Sequence, residues 1–80
     1  MKIMVINPNS SKEMTASIRT VLDKIKRKDT ELTVTCPEHG PIEISSAYDE
    51  AVASFYMMDL IRTANEENYD AVIVACFSDP

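Results

Sequence analysis

Apolar residues recur along the chain with two periods, one typical of strands and one typical of helices. Together they predict three strands and two helices. Lys2–Ile6 is a short run of strand-forming residues, and the turn-forming sequence NPNSS follows it at once. Ser10 and Glu13 have the spacing of a capping box, and apolar residues then recur at helical intervals. We therefore predict a first strand over 2–6 and a first helix over about 11–27.

The middle of the chain predicts a second strand and a second helix. Residues 31–36 alternate polar and apolar, which indicates a strand with one face more exposed than the other. The following loop, PEHGPIEISS, holds two prolines and the only glycine, and its length makes it a candidate lid or binding loop. Ser46 and Asp49 supply a second capping signature, which opens a helix that runs to about Ala64.

The last ten residues, AVIVACFSDP, are the most informative stretch for the fold. Residues 71–75 are uninterrupted apolar and run into Cys76, which predicts a strand buried on both faces of a parallel sheet. Helical crossovers between parallel strands are right-handed. We therefore predict an α/β fold, the three-stranded parallel half of a flavodoxin-like doubly wound sheet in the order 2-1-3, truncated from a larger protein.

In this topology two chemically suggestive segments meet at the switch point of the sheet, where open α/β sheets bind ligands. They contribute Asn7, Pro8, Asn9 and Ser10 after the first strand and Cys76, Phe77, Ser78 and Asp79 after the third. Amides and hydroxyls beside backbone N–H groups suit a small carboxylate or amide ligand. The pattern thus favours a site for a small polar molecule.

Cys76 is the candidate reactive group of this site. Its thiol can act as a nucleophile or a proton acceptor if nearby donors or a helix N-terminus lower its pKa. By composition alone, a cysteine that closes an apolar strand is more often a small core residue. We prefer that plain structural interpretation for Cys36, and we expect His39, in a Pro/Gly loop, to be a solvated side chain.

Composition narrows the classes of function. The formal net charge of −5 repels phosphate backbones and anionic lipid, so we expect neither nucleic acid nor membrane partners. No apolar run approaches the ~20 residues of a membrane span, and no signal peptide is recognisable, which predicts a cytoplasmic protein. A single glycine excludes the glycine-rich nucleotide motifs, and two cysteines with one histidine offer no metal cluster.

Three segments together resemble the aspartate/glutamate/hydantoin racemase family, most closely its hydantoin racemase branch. They are KIMVINPNSS, SSAYDEA and VIVACFSDP, and the resemblance covers the whole chain. It implies racemisation of hydantoins or small amino acids without a cofactor, between two pseudo-symmetric lobes that place one cysteine on each side of the substrate carbon. Residues 1–80 would then be a partial N-terminal lobe.

The resemblance also implies roles for individual residues. Cys76 would be the acid/base of the first lobe, exchanging a proton with the substrate carbon. The substrate-binding residues would be Asn7, Asn9, Ser10, Ser46, Phe77, Ser78 and Asp79. Cys36 closes a strand of the same sheet and would approach from the same side, so the second catalytic cysteine is not in this sequence. We therefore expect the 80 residues alone not to racemise a substrate.

Two other hypotheses remain open on the sequence. One is a free-standing flavodoxin-like binding or interaction module without catalysis, which would cover the exposed edge of its last strand by forming a homo-oligomer. The other is a hydrolase or isomerase that uses a cysteine nucleophile on the same scaffold. A covalent adduct at Cys76 during turnover would distinguish it from proton transfer.

Overall fold

A parallel three-stranded sheet with its first strand in the middle organises the structure. The computed structural model describes residues 1–75. Its strands are β1 (Lys2–Ile6), β2 (Glu31–Thr35) and β3 (Ala71–Val74). They lie in the order β2-β1-β3 and both pairings are parallel, which confirms the predicted 2-1-3 topology. Val5 lies opposite Val34 on one side and Ile73 on the other.

Two helices, α1 (Lys12–Ile25) and α2 (Ala47–Glu66), cover opposite faces of this sheet. Successive side chains of a strand point to opposite faces, so β1 supplies residues to two cores. On the face of α1, Val5 packs with Ile18 and Val34. On the face of α2, Met4 and Ile6 pack with Ala64. The last three residues of β1 are all buried, because a helix covers each face of this strand.

The first helix begins one residue later than the capping box predicted. Ser11 is its N-cap, and the Ser11 hydroxyl accepts a hydrogen bond from the backbone N–H of Met14 at 3.1 Å. The Ser10 hydroxyl donates instead to the Gly40 carbonyl. The assignment of Ser10 as the cap is therefore wrong. The Asn9 side chain accepts from the Ser11 N–H at 2.9 Å and turns the chain once more before the helix starts.

The second helix has the N-cap that the sequence predicted. The Ser46 hydroxyl accepts from the N–H of Asp49 at 3.1 Å. The helix continues two residues into the polar tail and ends at Glu66. Two residues later Asn68 adopts a left-handed conformation, with φ +61°. Asparagine tolerates that conformation better than most residues. The N–H of Tyr69 donates back to the Ala64 carbonyl at 3.0 Å and satisfies one carbonyl of the last turn.

The third strand is less buried than its apolar sequence predicted. Ile73 and Val74 are 50% and 44% exposed, so burial on both faces is wrong for this strand. β3 is an edge strand of the described sheet, α1 packs toward β2, and the outer side of β3 has no neighbour among residues 1–75. An apolar run reports the tendency of a strand to be covered, but burial also needs a covering element.

Hydrogen bonds close the end of the sheet opposite to the predicted site. The N–H of Lys2 donates to the Asp70 carboxylate at 2.6 Å, and its ammonium donates to the Glu67 carbonyl at 2.8 Å. The same ammonium lies 4.3 Å from the centre of the Tyr69 ring, whose hydroxyl shares a hydrogen bond with Thr33. These contacts join α2 and β3 to the start of β1, away from the carboxyl end of the sheet.

We predict that Ser11→Ala destabilises the protein by about 1 kcal/mol, the usual cost of losing a serine N-cap. The physical reason is that the N–H of Met14 loses its only side-chain acceptor. Urea denaturation followed by circular dichroism measures the free energy of unfolding. Ser17→Ala is the matched control, because the Ser17 hydroxyl donates only to a carbonyl one turn back in the same helix. Equal losses in the two variants would contradict the assignment of the cap.

Candidate functional site

The carboxyl end of β1 delivers a buried asparagine to the predicted crevice. Asn7 follows Ile6 directly and is 1% exposed. Its backbone N–H continues the ladder to the Thr35 carbonyl at 2.8 Å. Its side-chain amide donates to the Asn9 side-chain oxygen at 2.8 Å and to the Thr15 hydroxyl at 3.1 Å. Both amide hydrogens therefore hold the loop and α1 together, and a role of Asn7 in binding substrate stays a prediction.

Asn9 acts as the central acceptor of the loop after β1. Its side-chain oxygen receives the amide of Asn7 and the backbone N–H of Ser11, while its own amide reaches the sulfur of Met14 at 3.2 Å. Asn9 is half-buried, in contrast to Asn7. The loop therefore has a defined conformation before any ligand binds, which lowers the entropic cost of binding.

Ser10 joins the loop after β1 to the loop after β2, residues 36–46. Its N–H donates to the Pro41 carbonyl at 2.9 Å and its hydroxyl donates to the Gly40 carbonyl at 3.0 Å. The sequence predicted Ser10 as a substrate-binding residue. In the structure both of its donors are used between the two loops, so its hydroxyl could meet a ligand only as an acceptor.

The only glycine of the chain lies where a side chain would not fit. Gly40 has φ +105°, a conformation that L-residues rarely adopt. A Cβ atom there would lie 3.1 Å from the ring of Tyr56 on α2. The Tyr56 ring also lies beside the His39 ring, tilted by 51° with 5.9 Å between ring centres. His39 itself is exposed, as the sequence predicted, and the 36–46 loop is held at both of its sides.

Ser46, the remaining predicted substrate-binding residue in the described part, is occupied as the cap of α2. The carboxylate of Asp49 accepts from the N–H and the hydroxyl of Ser45 at 3.1 and 3.2 Å. The hydrogen bond from the Ser45 N–H, with those from the Ser45 and Ser46 hydroxyls, lowers the pKa of Asp49 below its ordinary value, against a smaller opposing effect of burial. The start of α2 thus carries a fixed negative charge at neutral pH.

The third strand reaches the same edge of the sheet as Asn7. The N–H of Ala75 donates to the Ile6 carbonyl at 2.9 Å, which places the last described residue beside the end of β1. Cys76, Phe77, Ser78 and Asp79, predicted as catalytic and substrate-binding residues, lie outside the described residues. Cys36 is a half-buried free thiol after β2, on the other side of β1.

Two classes of feature can be assessed within residues 1–75. In this range no three His, Cys, Asp or Glu side chains are grouped so that they could hold a metal ion. In the same range neither helix combines the length and the apolar character required to cross a membrane.

Sequence reasoning missed three residues that organise the site. Thr15 is 5% exposed and accepts from Asn7, but nothing in the helical pattern distinguishes it from a surface threonine. Ser11 was hidden by its neighbour Ser10, because only Ser10 has a glutamate, Glu13, at the capping-box spacing. Gly40 could have been found, because a lone glycine in a long loop is a signal for a position with positive φ.

We predict that Asn7→Ala lowers the free energy of unfolding by about 1 to 3 kcal/mol, because the buried Thr15 hydroxyl loses its donor and the Asn9 oxygen keeps only the Ser11 N–H. Urea denaturation measures the loss. Asn65→Ala, at an exposed position of α2, is the control and should change stability by less than about 0.5 kcal/mol. Equal stability of Asn7→Ala and the wild type would contradict a structural role for this amide.

Comparison with known proteins identifies relatives by sequence and by fold. The family model of the Asp/Glu/Hydantoin racemase family matches residues 3–80. A hydantoin racemase of Paenarthrobacter aurescens is 38% identical over the whole chain, and one of Pseudomonas sp. (strain NS671) is 39% identical. The allantoin racemase of Klebsiella pneumoniae superposes on 96% of the chain with a TM-score of 0.90 and 35% identity.

The match covers only part of each relative. The chain corresponds to 34% and 32% of the two hydantoin racemases and to 31% of the allantoin racemase. It thus spans about a third of the length of the curated relatives it matches. Because the family model extends over nearly every residue, from Ile3 to Pro80, the chain belongs to the Asp/Glu/Hydantoin racemase family.

Proposed function

We propose that this chain supplies one acid/base thiol and part of the substrate site of a racemase that acts on hydantoins or small amino acids without a cofactor. The observation that carries the proposal is the place of Cys76 in the sequence, directly after the residues of β3 that reach the switch point of the sheet. The end of β3 lies beside Asn7 at the carboxyl edge of the sheet, and Cys76 is the next residue after the last described one. Ligands of open α/β sheets bind at this edge.

In the proposed reaction the Cys76 thiolate takes the proton from the chiral carbon of the substrate and becomes a thiol. The electron pair of the broken C–H bond passes to the adjacent carbonyl, whose oxygen becomes negatively charged. A second thiol on the opposite face then returns a proton to the carbon, and the configuration is inverted. The reaction uses two thiols in exchanged roles for the two enantiomers, and it requires neither an oxidant nor a metal.

The described residues of the proposed site are polar and uncharged. They carry amide and hydroxyl groups and belong to the loops after β1 and β2, at Asn7, Asn9, Ser10 and Ser46. Because the side-chain donors of Asn7 and Ser10 are already used within the fold, such groups offer mainly acceptor oxygens, which suit the N–H groups of a polar ring. In the proposed site Ser78 and Asp79 border the pocket and Phe77 contacts the substrate ring.

We predict that 5-isobutylhydantoin protects Cys76, and not Cys36, from alkylation by iodoacetamide. Reaction at each cysteine is followed by peptide mass spectrometry, so Cys36 is a control within the same molecule. A ligand at about four times its dissociation constant should slow the alkylation of an occluded thiol about fivefold. Equal protection of both thiols, or none, would contradict the proposal. Faster loss of optical rotation with the 80-residue chain alone would contradict the need for a second thiol on the opposite face.

A second candidate function is an interaction module that pairs two copies of the chain through β3. The exposure of that edge favours it. At the opposite edge, the Arg19 guanidinium donates to the outward-facing Val34 carbonyl at 2.6 Å and hinders strand addition. At β3, Val72 and Val74 turn their backbone groups away from β1, with no strand against them in residues 1–75. An apolar groove of about 720 Å³ opens beside β3 on the face of α1.

For this second candidate we expect a concentration-dependent dimer, measured by size-exclusion chromatography with light scattering. Val74→Pro should yield a monomer, because proline removes the outward N–H and is tolerated on an edge strand. Val74→Ala is the matched control and keeps that donor. A wild-type protein that stays monomeric at all concentrations would sink this candidate and leave the racemase proposal unaffected.

A further inference from the structure

A small pocket lies at the carboxyl end of the sheet on the face of α2. Its volume is about 230 Å³. Pro8 contributes from the loop after β1, Val74 from the end of β3, and Ala53 and Met57 from α2. Ile44, from the 36–46 loop, supplies the remaining apolar wall, and Glu50 and Ser54 supply the polar part of the lining. The apolar side chains that line most of this pocket suit a hydrocarbon group.

The position of this pocket relates it to the proposed chemistry. Pro8 follows the buried Asn7, and Val74 precedes Cys76 by two residues in the sequence. Two residues of extended chain span at most about 7 Å. A substrate whose chiral carbon meets the thiol must place the substituent of that carbon nearby, and a pocket at this distance can receive it.

The wall formed by the 36–46 loop is held in place by contacts on both sides. Ser10 binds the Gly40 and Pro41 carbonyls, and the loop passes so close to α2 that a Cβ atom at Gly40 would meet the Tyr56 ring. The two isoleucines of this loop differ in exposure. Ile42 is 71% exposed, whereas Ile44 is half-buried and lines the pocket. A wall with a fixed backbone can select substituents by size, because the site cannot relax around a larger group.

We propose that this pocket receives the hydrocarbon substituent on the chiral carbon of the substrate, and that Ile44 determines the size of the substituent it accepts. The inference rests on the proposed function. Ile44 is a specificity-determining residue, and Ser10 is a positioning residue that acts through the loop. Neither takes part in the transfer of the proton.

The test compares the binding of two probes, 5-methylhydantoin and 5-isobutylhydantoin, by titration calorimetry or NMR. The measured quantity is the ratio of their dissociation constants. Ile44→Ala widens the pocket by three carbons, the difference between the two substituents, and should shift this ratio at least about tenfold in favour of the isobutyl probe, since one methylene group alone changes selectivity about tenfold in an apolar pocket. Ile42→Ala removes the same atoms from the same loop at an exposed position, and it should leave the ratio unchanged.

Ile44→Val removes a single methylene group and provides a second variant if Ile44→Ala does not fold. It should shift the ratio in the same direction by about threefold to fourfold. An unchanged ratio in both variants, with normal binding of both probes, would overturn this inference and leave the proposed function standing. Failure of the wild type to bind either probe would overturn this inference and the hydantoin branch of the proposed function. A shift in Ile42→Ala equal to that in Ile44→Ala would also refute the assignment of Ile44.

Discussion

The pairing of β1 with a strand on each side is the constraint on which the rest of the structure depends. Because β1 is central, its backbone groups are satisfied by β2 on one side and β3 on the other, and its side chains can be buried on both faces. Ile6 is fully buried for this reason. The residues directly after β1 are therefore held at a defined place at the carboxyl edge of the sheet, which makes the loop they form suitable for a site.

The polar groups of that loop are used mainly to fix its own shape. Asn7 and Asn9 bind each other and the start of α1, and Ser10 binds the neighbouring loop. A ligand at this edge would therefore meet a preorganised surface, with its geometry set by buried hydrogen bonds. The cost is low redundancy, because each amide or hydroxyl already serves the fold and its replacement affects both fold and site.

The two edges of the described sheet differ in character. Arg19 covers an outward carbonyl of β2, whereas the outer groups of β3 face no strand in residues 1–75. Ile73 and Val74 keep an apolar sequence suited to burial although half of their surface is exposed. Racemases about three times the length of this chain share its fold over the matched third. This edge is where the proposed pairing of two copies of the chain would add a strand.

Much of the fold was determined by the sequence itself, because hydrophobic period and capping are local signals. The three strands, both helices and the Ser46 cap follow from patterns within a few residues of each other. The 2-1-3 order follows from the general rules for right-handed crossovers in doubly wound sheets. The choice between Ser10 and Ser11 and the contact between the His39 and Tyr56 rings depended on groups distant in sequence. The internal use of Asn7 depended on the turn that brings its nearby partners into reach. The exposure of β3 was likewise decided by the sheet. Only tertiary structure settles such matters, since a hydrogen bond or a covered surface needs a partner that local sequence does not specify.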